Sequence, residues 1–391
     1  MADLMLLPQL PATFASKAAA VGISVFLLAG LVSNVWLAST SDKPLLTSAA
    51  TRERVLGGTV SHELADRMAD SPLPFESARV QRGLNWLAFG DLGPRVRQGC
   101  PGWLFIRDEL MVYRDASAHA ATRAQTVAAV QRDLASRGIK LLVIIVPDKS
   151  RIEAQHLCGL HRPASLDGRV NDWMAQLAAQ GVRAVDLAPA LRGVQGDAYF
   201  HTDTHWTEAG AGAAAQAVAQ RVHQLGLALP PGGAYKVEAQ PVARRPGDLV
   251  HLAGLDWLPP SMQPEPETAQ AHTYTPEAKA AATDDDLFGD AGLPIVSLLG
   301  TSYSRNSNFA PQLAMALGSG VNNFARDGGM FGGAAQAYFP SQAYTQTPPK
   351  LIVWEVDERD LQAPLLPADA VAVPLASPAA PGAAGGARAS Q

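Results

Sequence analysis

The stretch LPIVSLLGTSYSRNSN, residues 293–308, runs from an apolar strand into a polar turn. The strand ends at Leu299, Gly300 permits a tight turn, Thr301 and Ser302 follow, and a helical pattern begins shortly after. A serine on such a strand-to-helix turn is presented at the C-terminal edge of a parallel sheet. Backbone N–H groups there point toward any oxyanion that forms. An ordinary turn of this kind also carries serine as a helix cap. The segment alone therefore leaves a nucleophile and a cap both open.

The surrounding chain repeats the same strand-helix rhythm. Continuous apolar runs start near Lys140 (KLLVIIVP), Val182 (VRAVDLAP), Leu293, Val321 (VNNFA) and Leu351 (LIVWEVDE). Between them lie helical patterns over 122–138, 165–181, 207–226 (capped at Thr207), 308–320 and 332–346. Strands that are apolar throughout and separated by helices imply a parallel sheet covered on both faces. The expected fold is α/β: a doubly wound, mainly parallel five-stranded sheet, with all strand C-termini on one edge. GWLFI, 102–106, reads as a further short strand ahead of the sheet.

That edge has a second occupant. HTDTHW, 201–206, places His201, Asp203 and His205 at alternate positions between the second strand and the helix from Thr207. On a regular strand all three would share a face, and two histidines with a carboxylate can hold a divalent metal. The immediate helix start argues against such a strand. The alternative joins the two segments: His205 accepts the Ser302 proton, and Asp203 orients the imidazole and stabilises its charged form. His201 stays outside that triad, and no metal ligand set is assigned. Trp206 is weighed as packing against a sugar platform, in favour of packing. Glu355 and Arg359 read as a structural pair.

At 391 residues, 47% hydrophobic and 17% charged, the chain can build a packed core, and a net charge of −5 gives no reason to expect nucleic-acid binding. Residues 18–38 contain no charge and match the ~20 residues needed to span a bilayer, so residues 1–40 are expected to form an uncleaved transmembrane helix. The flanking charges, Lys17 before and Lys43, Arg52 and Arg54 after, leave its orientation open. Residues 41–77 read as an irregular linker, 78–362 as the catalytic domain, and 229–292 as an insertion of loops with room for a hairpin, either a lid or a variable loop. Residues 363–391 read as a disordered low-complexity tail. Cys100 and Cys158 are open between a disulfide and two buried thiols.

TDTHWT followed about a hundred residues later by LLGTSYS resembles the AlgJ/AlgX-type polysaccharide O-acetyltransferases of the wider SGNH-hydrolase-like group. GWLFIRDEL and LIVWEVDERDL match in style, and the four motifs fall in the right order from about Gly93 to Leu361. Gly300-Thr301-Ser302 stands where most of the group has Gly-Asp-Ser, and the Asp-x-His precedes the serine, an order that itself resembles AlgJ and AlgX. AlgX-like members carry a C-terminal carbohydrate-binding module, whereas this chain has the low-complexity tail, so the resemblance is nearer AlgJ. It implies an anchored catalytic domain in the periplasm that acetylates an alginate- or cellulose-type exopolysaccharide through an acetyl-serine, without a cofactor. The implied partners are a membrane-bound O-acyltransferase supplying acetyl and other polysaccharide-secretion proteins. Oxyanion or substrate contacts are expected from Gly328, Gly329, Tyr303 and Arg326, with Arg305 weighed beside them; for the two glycines a plain glycine-rich turn stays open. The rival functions are a polysaccharide acetylesterase with the same triad and a non-catalytic binding protein of a secretion complex.

Overall fold

A computed structural model describes residues 13–42, 44–277 and 295–373. The chain divides into two compact units, Met1–Asp91 and Leu92–Gln391.

In the first unit, the helix Phe14–Thr40 has 27 residues and buries none of them, with a hydropathy of 2.0 over its most apolar window. At 1.5 Å per residue it extends about 40 Å, more than the ~30 Å hydrocarbon core. It is long and apolar enough to cross a membrane. The segment expected as an irregular linker is instead helical from Arg52: Arg52–Leu56, Thr59–Ala69 and Pro72–Phe89. The last of these runs through residue 78 without a break. Thr51 caps the first, and Pro72 occupies the first turn of the third. These helices bury almost nothing, so the hydrophobic pattern that marks packed helices did not announce them.

The second unit contains the sheet. The hairpin β1 (Val96–Gln98) and β2 (Leu104–Ile106) comes first. The sheet strands are β3 (Lys140–Val146), β4 (Ala184–Asp186), β9 (Val296–Leu299), β10 (Val321–Asn323) and β11 (Leu351–Asp357). Their order is β10-β9-β11-β3-β4 and every pairing is parallel. β11 is the central strand, and its pairing with β3 is aligned over seven residues. Both faces are covered, which explains the unbroken apolar runs. Leu141, Val143 and Ile145 pack with Val127, Trp173 and Trp354 on one face. Leu142, Ile144 and Val146 pack with Val218, Leu313 and Trp206 on the other. Trp206 is therefore core.

The expected helix over 332–346 is two short ones, Gly333–Tyr338 and Gln342–Thr345, because Pro340 cannot continue the ladder. The start of the expected tail is built into the fold: Asp369 pairs with buried Arg123, and Val371 and Val373 join the core. Residues 374–391 lie outside the described residues, as do 278–292 of the insertion.

The insertion holds strands β5 (Tyr235–Ala239), β6 (Ala243–Arg245), β7 (Glu267–Ala269) and β8 (His272–Pro276). They pair antiparallel as β5 with β8 and β6 with β7, around the short helix Asp248–Leu252. Within the described residues these are two successive antiparallel ladders, the hairpin for which the sequence left room.

Cys100 and Cys158 form a disulfide, which settles the cysteine alternatives. It closes a loop of sequence separation 58, worth about 4 kcal/mol by the chain-entropy relation. The double serine variant is expected to lose that much in denaturant unfolding; an unchanged midpoint would mean the bond adds nothing to this fold.

Candidate active site

Ser302 follows β9 at the sheet edge. Gly300 is required there, since a Cβ would lie 2.3 Å from Glu355 Oε2. Glu355, buried on β11, accepts from Thr301 N at 2.6 Å, from the Thr301 hydroxyl, and from Ser304 Oγ at 3.0 Å. Burial and neighbouring Asp357 push the Glu355 carboxyl well above its ordinary range. Glu355 thus organises the serine turn, and Arg359 pairs with Asp357 instead. The expected Glu355–Arg359 pair is replaced by these two contacts.

The 201–205 segment is a closed loop, not a strand. Tyr199 bridges Trp206, Phe200 N donates to His205 O, and Thr207 N donates to Ala198 O. The loop separates the residues of the metal reading. His201 turns away, pairing with Asp197 at 2.8 Å and stacking on Trp103, whose other face carries His156. Asp203 and His205 turn toward the serine.

The triad is assembled. Ser302 Oγ lies 2.7 Å from His205 Nε2, and His205 Nδ1 lies 2.7 Å from Asp203 Oδ1. Burial opposes the charge on Asp203. The hydrogen bond and charge of His205, with the Arg245 guanidinium, outweigh it and hold the carboxyl below its usual range. An ionised Asp203 can only accept, so Nδ1 carries the proton and Nε2 is free to accept from the serine hydroxyl.

The Tyr303 side chain is packed inward rather than presented to the edge. It is buried, its hydroxyl donates to Thr204 O at 2.8 Å, and its ring packs edge-on against His205. Arg326 is exposed and joins the site through its backbone, N–H to Gly300 O. Gly328, at φ 65°, and Gly329, whose N–H goes to Arg326 O, serve the conformation of their own turn. Arg305 pairs with Asp327 at the surface.

Several residues of the site carried no sequence signal that was used. Buried Lys149, just past the end of β3, donates to Leu104 O, His201 O and Asp203 O, and burial lowers its ammonium to about 8. Asn306 Nδ2 donates to Ser302 O at 2.9 Å and lies 3.4 Å from His205 Nε2. The insertion grips the loop as well. Glu267 accepts from His201 N and Thr202 N, and Arg245 donates to Asp203 Oδ2 at 2.9 Å. The position of Lys149 after a strand end was a readable cue. The insertion residues had none, because their partners are about 40 to 65 residues away. A cavity of about 1280 Å³ is lined by the insertion together with His201, Thr207, Glu208 and residues 305–308. Ser302, His205 and Asp203 do not line it, but Arg245 and Asn306, which contact them, do.

Residues 96–358 match the family described as SGNH hydrolase-like domain, acetyltransferase AlgX. The chain is 33% identical to the probable alginate O-acetylase AlgJ of Pseudomonas syringae pv. tomato, covering 87% of this chain and 88% of that one. AlgJ of Pseudomonas aeruginosa is 31% identical over 80% and 83%. Against the alginate biosynthesis protein AlgX of P. syringae pv. tomato, the match is 32% but covers 46% of AlgX, so the likeness is nearer AlgJ. Among solved structures, the O-acetyltransferase domain of Pseudomonas putida AlgJ superposes with a TM-score of 0.58 at 31% identity, covering 69% of this chain and 92% of that domain. With its parallel sheet, its serine turn and matches of this extent, the chain belongs to the SGNH hydrolase-like acetyltransferases of the AlgX family.

Proposed function

We propose that the protein is a membrane-anchored O-acetyltransferase that passes acetyl groups through Ser302 to hydroxyls of an exopolysaccharide of the alginate or cellulose type. The observation that carries this is the continuous proton path Ser302–His205–Asp203, with both links at 2.7 Å. Ser302 Oγ bonds to the donor's acetyl carbon while its proton moves to His205 Nε2. The bond to the leaving group breaks, and the leaving oxygen takes that proton. A sugar hydroxyl then gives its proton to His205 and attacks the acetyl-serine, and Ser302 Oγ leaves and is reprotonated.

The apolar helix supports a single-pass inner-membrane anchor, and the disulfide supports an oxidising compartment, the periplasm, for the catalytic unit. The relatives named for alginate acetylation and alginate biosynthesis support a polysaccharide substrate; a membrane-bound O-acyltransferase as acetyl supplier and other secretion proteins as partners belong to the same proposal. In this reading the oxyanion role passes from Gly328 and Gly329 to Asn306, whose amide lies 3.4 Å from His205 Nε2, the nitrogen that meets the Ser302 hydroxyl. Asn306→Ala is expected to lower turnover ~10²-fold or more with KM little changed; a loss below threefold would remove Asn306 from that role.

The deciding experiment incubates the full-length protein in detergent with an activated acetyl ester, with and without unacetylated oligosaccharides, and weighs the Ser302 peptide. The reading expects an acetyl adduct that moves onto sugar. An adduct lost to water alone would point to an esterase, and absence of any adduct would overturn the serine mechanism.

A further inference from the structure

The catalytic histidine has a second carboxylate beside it, supplied by the insertion. Asp248 Oδ2 lies 3.6 Å from His205 Nδ1, the same nitrogen that donates to Asp203. Asp248 Oδ1 accepts from Thr204 N at 2.6 Å, and Asp248 N donates to Asp203 Oδ2. The approach depends on Gly247, where a Cβ would lie 1.9 Å from Thr202 O. Leu249 N also donates to Thr202 O. The PGDLV segment, 246–250, is therefore fitted against the catalytic loop at backbone contact.

The charges explain why a second carboxylate belongs there. Arg245 donates to Asp203 Oδ2 and lies over the Phe200 ring, so it offsets the negative charge of Asp203. When His205 takes the serine proton, the cation would face a carboxylate already neutralised by a guanidinium, in a site where His205 is 7% exposed. With Asp248 ionised, the group of His205, Asp203, Arg245 and Asp248 returns to neutrality. The other groups facing the loop are the Lys149 ammonium, bonded to Asp203 O, Glu267, bonded to the 201–202 backbone, and the neutral Tyr303 ring edge.

We propose that Asp248 is a positioning residue for the reaction: the second carboxylate of a Ser302–His205–Asp203–Asp248 unit, stabilising the imidazolium that Arg245 would otherwise penalise. The inference rests on the serine–histidine reading of the site. It makes the insertion part of the catalytic apparatus rather than a variable loop.

The test separates charge from structure. Asp248→Asn keeps an oxygen to accept from Thr204 N and removes the charge; Asp248→Ser does the same with a hydroxyl. Full-length variants are assayed for release of the leaving group from an activated acetyl ester between pH 5 and 9. The acid limb of kcat/KM reports protonation of the free enzyme's essential base. Losing a negative charge at this distance is expected to move that limb to lower pH by about one unit and to lower kcat about tenfold. Arg245→Gln is expected to move the limb the opposite way. A neutral variant whose profile superposes on the wild type overturns the proposal. So does failure of both neutral variants to fold, which would make Asp248 a structural brace. Wild-type turnover in Ser302→Ala would instead sink the serine reading itself.

Discussion

Replacing Ser302 by alanine is expected to lower acetyl transfer by about 10⁶-fold, the scale on which triad nucleophiles fail when removed. The fold should not notice. The Ser302 hydroxyl makes its contact with His205 Nε2 at 2.7 Å, and the turn is held by other groups: Glu355 on Thr301 and Ser304, and Asn306 on the Ser302 carbonyl. An alanine keeps the backbone that Asn306 and Glu355 hold. The unfolding midpoint is expected to change by less than a surface substitution typically causes, about 0.5 kcal/mol. Retention of both the acetyl adduct and transfer in this variant would refute the mechanism. Loss of activity together with loss of the folded state would show that the hydroxyl is structural.

Asp203→Asn is expected to cost ~10⁴ in turnover, and the reason here is more specific than the loss of a charge. Four donors converge on the two Asp203 oxygens. His205 N and Nδ1 donate to Oδ1, while Arg245 and Asp248 N donate to Oδ2. An amide has one oxygen. If the oxygen serves His205, the amide N–H₂ faces the guanidinium. If it serves Arg245, the amide donates to Nδ1 and forces the proton onto Nε2, where it blocks the serine. Neither orientation satisfies all four, so a stability loss of about 1–3 kcal/mol accompanies the kinetic one. The sign with pH is fixed by the lowered carboxyl of Asp203. Its ionised form stabilises the fold fully above the ordinary carboxylate range and loses that contribution as pH falls toward the lowered value. The gap between wild type and variant should therefore be widest near neutrality and narrow below about pH 4. A gap independent of pH, or a change in turnover of a few-fold, would mean that another group orients His205.

The parallel sheet was legible because it is buried on both faces. Strands of that kind carry long apolar runs without alternation, and β3 (Leu141–Val146) and β11 (Leu351–Trp354) stand out for that reason. The pairing of Ser302 with His205 and Asp203 was legible because parallel topology sends both turns to one edge. The helices from Arg52 to Phe89 were missed because they are exposed and lack a buried stripe, and the break at Pro340 lay inside a pattern read as one helix. The position of Tyr303 beside Ser302 in sequence does not put its side chain at the surface; its ring points inward, toward Tyr199 and Trp206.

By itself, the sequence determined the sheet, its edge, the triad and the apolar N-terminal helix. Each of these rests on local periodicity or on residue type at a strand end, and local pattern survives in one dimension. Tertiary structure alone decided the surroundings of that triad. Glu355 under the serine turn, Lys149 under the loop carbonyls, and Arg245 and Asp248 against Asp203 are brought in from other strands and from the insertion, and Asn306, on the serine's own turn, meets Nε2 of a histidine 101 residues away. Their roles depend on distances of a few ångströms between segments distant in the chain. Close approach of Gly247 to the Thr202 backbone and of Gly300 to the Glu355 side chain permits those distances, and no periodicity encodes them.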